Sequence, residues 1–177
     1  MISSQHIIQN AYVVNDLDQS MERWHGLWGI GPFFIRRHLA FASVIYRDKR
    51  ITLDMSVAYV QAGDIQLEFI CPHGDGPSAF RDAFAPGQEG LHHVAVQQPE
   101  NYESMLAHYT GQGFPVAMEV RTMGGRGAAF IDTRPLLGHM VEVYVPSEGL
   151  TALYRDVAAA SANWDRKQLK IEIDPTK

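Results

Sequence analysis

Two stretches of the chain, Ile65-Gln-Leu-Glu-Phe-Ile-Cys-Pro72 and His139-Met-Val-Glu-Val-Tyr-Val-Pro146, share one pattern, and this pattern decides the fold. Each is a β-prone run with a single glutamate between apolar neighbours, and each ends at a proline four residues after that glutamate. Extended segments that stop at proline are typical of β-strands. The match predicts that the chain contains two copies of one folding unit.

The segments that precede these two strands repeat as well. The β-prone run from His6 to Val14 and the run from Leu91 to Gln98 are each followed by a helical pattern that ends at a glycine-rich breaker. Gln9 and His93 are equivalent, because each lies seven residues before an acidic residue at the start of the helix. The repeated unit is therefore a strand, a helix and several further strands, which predicts an α+β fold.

The repeat divides the chain into one domain and an extension. Module 1 is predicted at 5–72 and module 2 at 91–146, with a linker at 73–90 that is rich in Gly, Pro and Asp. Residues 147–177 are predicted to be a C-terminal helical extension. Together, 1–146 form a single domain in this interpretation.

Four polar positions stand out because they are equivalent in the two units. Gln9 and His93 lie in the first strands, and Glu68 and Glu142 lie in the last strands. A pseudo-two-fold relation between the units would bring the four side chains to one cleft. Two carboxylates, an imidazole and an amide oxygen suit a divalent ion such as Zn²⁺, Ni²⁺, Co²⁺, Mn²⁺ or Fe²⁺. The sequence therefore predicts one metal site with these four ligands.

Strand alternation predicts how the neighbours of these residues point. Successive side chains of a strand face opposite sides, so His92 is expected to face away from His93, and His6 away from Gln9. The apolar neighbours of the two glutamates are expected to pack towards the helices, while each carboxylate points into the cleft. A buried carboxylate needs a partner, and a metal ion is a suitable one.

The composition excludes several classes of function. The chain has 177 residues, a net charge of −5 and one cysteine, Cys71. An acidic chain with scattered Lys and Arg disfavours nucleic-acid binding, and a single thiol suits a reducing compartment. No apolar run reaches the roughly 18 residues of a membrane span, and the start has no signal-peptide pattern. These features predict a cytoplasmic protein that binds no membrane.

Several motifs together resemble the vicinal-oxygen-chelate superfamily of glyoxalases, bleomycin-resistance proteins and dioxygenases, and the branch of methylmalonyl-CoA epimerase most of all. They are Asn10-Ala-Tyr-Val-Val-Asn-Asp-Leu-Asp18, Gly29-Ile-Gly-Pro-Phe-Phe34, Ile65 to Pro72, and Gly90-Leu-His-His-Val-Ala-Val96. The resemblance implies paired βαβββ modules that form a cupped, U-shaped mixed sheet with helices on its outer face. It places the metal positions of the family on the same Gln9, Glu68, His93 and Glu142, and homodimers are common in the family.

The resemblance also implies a type of reaction, that of a metal-dependent isomerase, epimerase or lyase. In such enzymes a carboxylate removes a proton next to a carbonyl whose oxygen the metal polarises. We expect Glu142 to be this base and Glu68 to be the second catalytic carboxylate. The epimerases usually have His at the position of Gln9 and Gln at that of Glu68, whereas the set found here is similar to that of eukaryotic glyoxalase I.

Two other functions are alternatives. One is a metal-free small-molecule binding protein of the bleomycin-resistance type. The other is a ring-cleaving dioxygenase, which needs Fe²⁺ held by two His and one carboxylate, and Gln9 replaces one of those His.

The substrate is expected to be a small molecule with an apolar or aromatic part. The residues that can line its pocket are Phe33, Phe34, Met55, Tyr59, Met118, Met123, Phe130 and Tyr144. Arg36 and Arg37 are either a solvated strand or a rim that attracts an anionic substrate. Arg126, in the glycine-rich turn at 124–127, is a further candidate for contact with an acidic substrate.

Overall fold

The computed structural model describes residues 5–97, 101–125, 127–174 and 176. The predicted contact of Arg126 with a substrate lies outside these residues, as does the predicted helix start at Pro99 and Glu100. No helix within the described ranges is both long enough and apolar enough to cross a membrane.

One mixed sheet forms the body of the molecule. Its strands are β1 (His6–Val13), β2 (Phe33–Arg36), β3 (Phe41–Tyr46), β4 (Lys49–Ile51), β5 (Asp54–Ala62), β6 (Ile65–His73), β7 (Gly90–Gln97), β8 (Val116–Thr122), β9 (Gly127–Ile131), β10 (Met140–Tyr144) and β11 (Lys170–Glu172). The helices are α1 (Leu17–Trp28), α2 (Ala79–Ala83), α3 (Tyr102–Thr110), α4 (Arg134–Leu137) and α5 (Glu148–Ala162).

The strand order is β11-β2-β5-β6-β1-β7-β10-β9-β8-β3-β4, and the sheet curls into a half-barrel. The two first strands, β1 and β7, pair antiparallel at its centre. Each of them pairs on its other side with the last strand of its own unit, parallel in both cases. The predicted α+β fold with a cupped mixed sheet is therefore confirmed, and we call the concave face of this sheet the cup.

Two segments complete the edges of the sheet in a way that the repeat does not predict. The hairpin of β3 and β4 lies in the range 5–72, yet β3 pairs with β8 at the far end of the sheet. At the opposite end, β11 from the C-terminal extension pairs with β2. Each half of the sheet thus gains an edge strand from outside its own strand–helix repeat. The division into modules at 5–72 and 91–146 stays a prediction.

The helices α1 and α3 cover the outer face, because each has a capped start and an apolar side. The Asp16 carboxylate accepts a hydrogen bond from the Gln19 amide at 2.9 Å, and α1 ends at Gly29, whose φ of 69° favours glycine. Met21 of α1 and Met105 of α3 are fully buried against the convex side of the sheet. Both helices therefore lie where the resemblance places them.

The helices α2 and α5 instead pack on the concave side. Phe80 of α2 and Leu153 and Val157 of α5 belong to the buried cluster that fills the cup. Leu153 and Val157 are four residues apart and share one side of the helix. The C-terminal extension therefore closes part of the cup and also supplies an edge strand.

Leu153→Ala tests the docking of α5. The leucine is buried in the cup, so its truncation is expected to lower the free energy of unfolding by about 2–3 kcal/mol. The matched control is Arg155→Ala, because Arg155 is on the same helix and its side chain is 73% exposed, and the expected change is within about 0.5 kcal/mol. Urea unfolding measures both variants. Equal stabilities for the two variants would show that α5 does not pack into the cup.

Candidate metal centre

The register of the four central strands relates the predicted ligands in pairs. Gln9 lies opposite an alanine of β7, and His93 lies opposite an alanine of β1. The β1 alanine that lies opposite His93 pairs on its other side with Glu68 of β6. In the same way, the β7 alanine that lies opposite Gln9 pairs on its other side with Glu142 of β10. The two halves of the centre therefore repeat with the same register, as a pseudo-two-fold axis between β1 and β7 requires.

Each first strand has a β-bulge directly before its polar residue. Between β1 and β7 the register shifts so that Ile8 is an extra residue on β1 and His92 is an extra residue on β7. A bulge interrupts the alternation of side chains and increases the local twist, and bulges are frequent beside active sites. Gln9 and His93 both follow such a bulge, so the irregularity is part of the repeated unit.

The prediction that His92 faces away from His93 is wrong because of this bulge. The Nδ1 atoms of the two rings lie 2.9 Å apart. The centroid of the Phe130 ring is 5.0 Å from that of His93 and 5.9 Å from that of His92. Strand alternation holds only where the ladder is regular, and the extra residue at His92 turns its side chain towards its neighbour.

Three of the four predicted ligands lie close together at the base of the cup. The Nε2 atom of His93 is 3.4 Å from a carboxylate oxygen of Glu142 and 3.8 Å from one of Glu68. The His93 side chain is 1% exposed, and those of Glu68 and Glu142 are 10% and 15% exposed. Two carboxylates and an imidazole from three separate strands therefore meet in a nearly dry environment.

Gln9 is buried on the same face of the sheet, beside this group. Its amide nitrogen donates a 2.6 Å hydrogen bond to the side-chain oxygen of Gln66, which is the paired residue on β6. That hydrogen bond uses the nitrogen and not the amide oxygen, and the oxygen is the atom with which an amide binds a metal. Its role as the fourth ligand stays a prediction.

A chain of polar groups determines which nitrogen of His93 has the proton. His92 Nε2 is 3.0 Å from the carbonyl oxygen of Ala79, and since a carbonyl only accepts, this nitrogen donates. Burial lowers the pKa of His92 to about 3, so its ring is neutral and its Nδ1 has a lone pair. That lone pair accepts the proton of His93 Nδ1. His93 therefore donates at Nδ1, which leaves Nε2 as the ring atom that can bind a metal.

This Nε2 atom faces the carboxylate oxygens of Glu68 and Glu142. Within the described part of the chain, the buried Nε2 atom of His93 has no hydrogen-bond partner. The charge of Glu142 disfavours the charged form of Glu68, and a cation between the two carboxylates would stabilise both. An imidazole nitrogen and two carboxylates are also a usual donor set for zinc and similar ions. The residues present therefore fit a divalent metal.

The two carboxylates influence each other. Burial and the charge of Glu142 raise the pKa of Glu68 well above its ordinary value, while a hydrogen bond from Tyr59 and the charge of Arg36 act in the opposite direction. Burial and the charge of Glu68 in turn raise the pKa of the Tyr59 phenol, so this phenol stays a neutral donor. A divalent cation would relieve the repulsion within the pair.

A cavity of about 130 Å³ opens above the three ligands. Its walls are mainly aliphatic and aromatic, and they include four of the predicted pocket residues, namely Met55, Tyr59, Phe130 and Tyr144. Phe33 is instead in the outer core, and Met123 is 62% exposed. Phe34 and Met118 pack in the inner cluster without lining the cavity. Leu150 of α5 and Phe80 of α2 line it without any sequence signal that linked them to the site.

A second group of possible ligands lies on the outer face of the sheet, and the sequence did not predict it. His38 Nδ1 is 2.8 Å from an oxygen of Asp54, and His73 Nε2 is 2.8 Å from the Ser56 hydroxyl. The facing groups of this exposed cluster thus satisfy one another by hydrogen bonds. The nitrogen of His93 has no such partner among the described residues, and for this reason the cup is the better metal site.

The sequence matches the profile of the Glyoxalase/Bleomycin resistance protein/Dioxygenase superfamily over residues 8–130. These residues include three of the four predicted ligands. A search of curated proteins found no significant relative.

Several solved structures have a similar fold. A hypothetical protein of Bacillus halodurans C-125 is 15% identical, with a TM-score of 0.58 over 82% of this chain and 97% of that one. Methylmalonyl-CoA epimerase from Mycobacterium tuberculosis is 18% identical, with a TM-score of 0.52 over 86% and 97%. A methylmalonyl-CoA epimerase in complex with methylmalonyl-CoA and NH4+ is also 18% identical, with a TM-score of 0.54 over 82% and 97%. At these identities the likeness shows the fold alone.

His92→Phe tests whether the hydrogen bond to His93 orients a metal ligand. Phenylalanine fills the space of the imidazole but cannot accept the proton of His93 Nδ1, so we expect the affinity for Zn²⁺ to fall by about 10- to 100-fold. Competition with a coloured chelator measures the affinity. His6→Ala, which removes an exposed imidazole of the same sheet, should leave it unchanged. A folded His92→Phe protein with wild-type affinity would contradict this role.

Proposed function

Because the chain belongs to the Glyoxalase/Bleomycin resistance protein/Dioxygenase superfamily, we propose that it is a divalent-metal-dependent isomerase or epimerase that moves a proton next to a carbonyl group. One observation carries the proposal, namely that Glu68 and Glu142 converge on the buried Nε2 atom of His93, which has no hydrogen-bond partner within the described residues. A lyase that uses the same first step is the closest variant.

Gln9, Glu68, His93 and Glu142 would hold the ion, which is Zn²⁺, Ni²⁺, Co²⁺, Mn²⁺ or Fe²⁺. Such an ion supplies Lewis-acid catalysis, since it polarises a carbonyl oxygen and makes the neighbouring C–H more acidic. The protein side of the centre is rigid, because His93 is hydrogen-bonded through His92 to the backbone at Ala79. A fixed ligand ring keeps the geometry of the site constant during the reaction.

The two carboxylates are the candidate bases, and they approach from opposite halves of the sheet. Glu142 borders the open cavity and is the first candidate to remove the proton. Glu68 receives a hydrogen bond from Tyr59, so it is more constrained, and its proposed role is to return the proton from the other side. Removal on one side and return on the other is the requirement for an epimerase, and the pseudo-two-fold arrangement of the pair supports it.

The two alternatives fit the centre less well. A ring-cleaving dioxygenase needs two imidazole ligands, whereas in the described residues His93 is the one imidazole that faces both carboxylates. The nearby His92 uses Nε2 on a carbonyl and Nδ1 on His93, so neither nitrogen is left for a metal. In a metal-free binding protein, the buried pair of Glu68 and Glu142 would have Arg36, two strands from Glu68, as its counter-charge, which compensates the pair less well than an ion between the carboxylates.

The small-molecule substrate of this reaction is proposed to have an apolar or aromatic part, because the cavity walls are mainly apolar. A cytoplasmic homodimer without membrane or nucleic-acid partners remains a prediction.

The metal content of the purified protein tests the first half of the proposal. Protein prepared without chelator is expected to contain about one divalent ion per chain when measured by inductively coupled plasma mass spectrometry. His93→Ala should reduce this to near zero, because it removes the central ligand. The matched control is His108→Ala on α3, which should retain the ion. A folded wild-type protein that neither retains nor takes up a metal would favour the metal-free binding protein.

Glu142→Gln tests the second half, since the amide cannot accept the proton. Deuterium uptake at the carbon next to the carbonyl is followed by NMR in D₂O, with methylmalonyl-CoA and 4-oxo-4-phenylbutanoate as probes. The metal-loaded wild type should catalyse the uptake in at least one probe, and Glu142→Gln should slow it by about 10²- to 10⁴-fold. Glu119→Gln on β8, which replaces a carboxylate on the outer face, is the control. Metal-loaded protein that exchanges neither probe contradicts the proposed reaction.

A further inference from the structure

We propose that Arg36 is the anion-binding residue of the cup, and that the substrate is an organic monoanion whose carboxylate contacts Arg36 at a distance from the reacting carbonyl. The inference rests on the proposed function for the reacting end of the substrate. It adds the class of compound and the residue that selects it. Its support comes from the surroundings of this one guanidinium.

Arg36 lies on β2 and lines the same cavity as Glu68, His93 and Glu142. Its guanidinium carbon is 5.9 Å from the centroid of the Tyr59 ring, so the charge rests on an aromatic wall of the cup. Its Nε atom is buried and has no hydrogen-bond partner among the residues that the structure describes. A buried N–H that has no partner is costly, and an anion bound in the adjoining cavity would satisfy it.

The neighbouring Arg37 shows how an arginine without such a role is placed. Alternation along β2 turns Arg37 to the outer face, where it pairs with Asp18 at 2.8 Å and with Glu172 at 3.2 Å. Arg36 forms no ion pair with Glu68 or Glu142, the two carboxylates of the same cavity, although Glu68 is close enough to feel its charge. The two adjacent arginines therefore differ, and the one inside the cup lacks an anion.

The sum of the charges that line the cup determines which ligand charge is favoured. Glu68 and Glu142 contribute two negative charges, which the divalent ion of the proposed function balances. The charge of Arg36 then remains, and the described lining of the cavity has no acidic or basic side chain besides Arg36, the two glutamates and the proposed ligand His93. With the metal bound, one positive charge in the cavity therefore stays unbalanced, and it attracts a ligand with one negative charge. A phosphate monoester would bring nearly two negative charges.

The geometry favours a carboxylate that is separate from the reacting group. Guanidinium binds a carboxylate through two parallel hydrogen bonds, which fixes the orientation of the ligand as well as its charge. Between Arg36 on β2 and Glu68 on β6 lies β5 with Tyr59, so the anion site and the metal site are two strands apart. A single small carboxylate cannot contact both sites, and the apolar walls between them suit the carbon skeleton of a longer acid.

The test uses cobalt-loaded protein with two probes that differ in one charge, 4-oxo-4-phenylbutanoate and its methyl ester. The visible spectrum of Co²⁺ reports whether the metal centre is formed, and calorimetry measures the affinity for each probe. The wild type is expected to bind the acid more tightly than the ester. Arg36→Met should weaken binding of the acid by about 10- to 100-fold and leave the ester unchanged. Arg36→Lys should retain part of the preference, since it keeps the charge but loses the second hydrogen bond.

The control is Arg50→Met, which removes the same charge from an exposed position on β4 and should change neither affinity. Wild-type protein that binds the ester as tightly as the acid, or binds neither, overturns the inference. An affinity for the acid that survives Arg36→Met overturns it too, because the carboxylate would then bind elsewhere. In these cases a normal cobalt spectrum leaves the proposed function standing. A missing cobalt spectrum contradicts the proposed function itself.

Discussion

The antiparallel pairing of β1 with β7 is the constraint on which the rest of the structure depends. It joins two copies of a strand–helix unit at the centre of one sheet, and its two bulges place Gln9 and His93 at equivalent points. The parallel partners β6 and β10 then bring Glu68 and Glu142 to the same face. A shift of this register by one residue would turn every one of these side chains to the other side of the sheet.

The chemistry of the centre follows from a conflict among buried groups. Two carboxylates lie within 4 Å of His93 Nε2, a buried nitrogen that has no hydrogen-bond partner within the described residues. The carbonyl at Ala79 maintains this arrangement through His92, because the neutral His92 ring can donate at Nε2 only if it accepts at Nδ1. The backbone thus fixes which atom of His93 faces the carboxylates, and a divalent cation resolves the repulsion. Arg36 lies on the wall of the same cavity and is a cation that forms no ion pair with either of these carboxylates.

Much of the fold could be predicted from the sequence, because the two proline-terminated strands with a central glutamate repeat visibly. The orientation of His92 could not, since a bulge adds one residue without any signature in composition. The charged turn at 47–50 indicates a hairpin, but nothing local shows that β3 pairs with β8 across the molecule. Leu153 and Val157 mark a buried side of α5, yet their spacing does not show that the cup is the surface they cover. Contacts between segments that are far apart in the chain determine these features, and the local sequence pattern does not show which segments meet.

The most direct test of the metal centre is the position of a bound metal ion, located by anomalous X-ray scattering from crystals of the cobalt-loaded protein. We expect one peak in the cup with His93 Nε2, Glu68, Glu142 and the Gln9 amide oxygen at about 2.0–2.3 Å. A peak at the outer cluster of His38, Asp54 and His73 instead, or a cup in which the carboxylates stay apart from any ion, would contradict it.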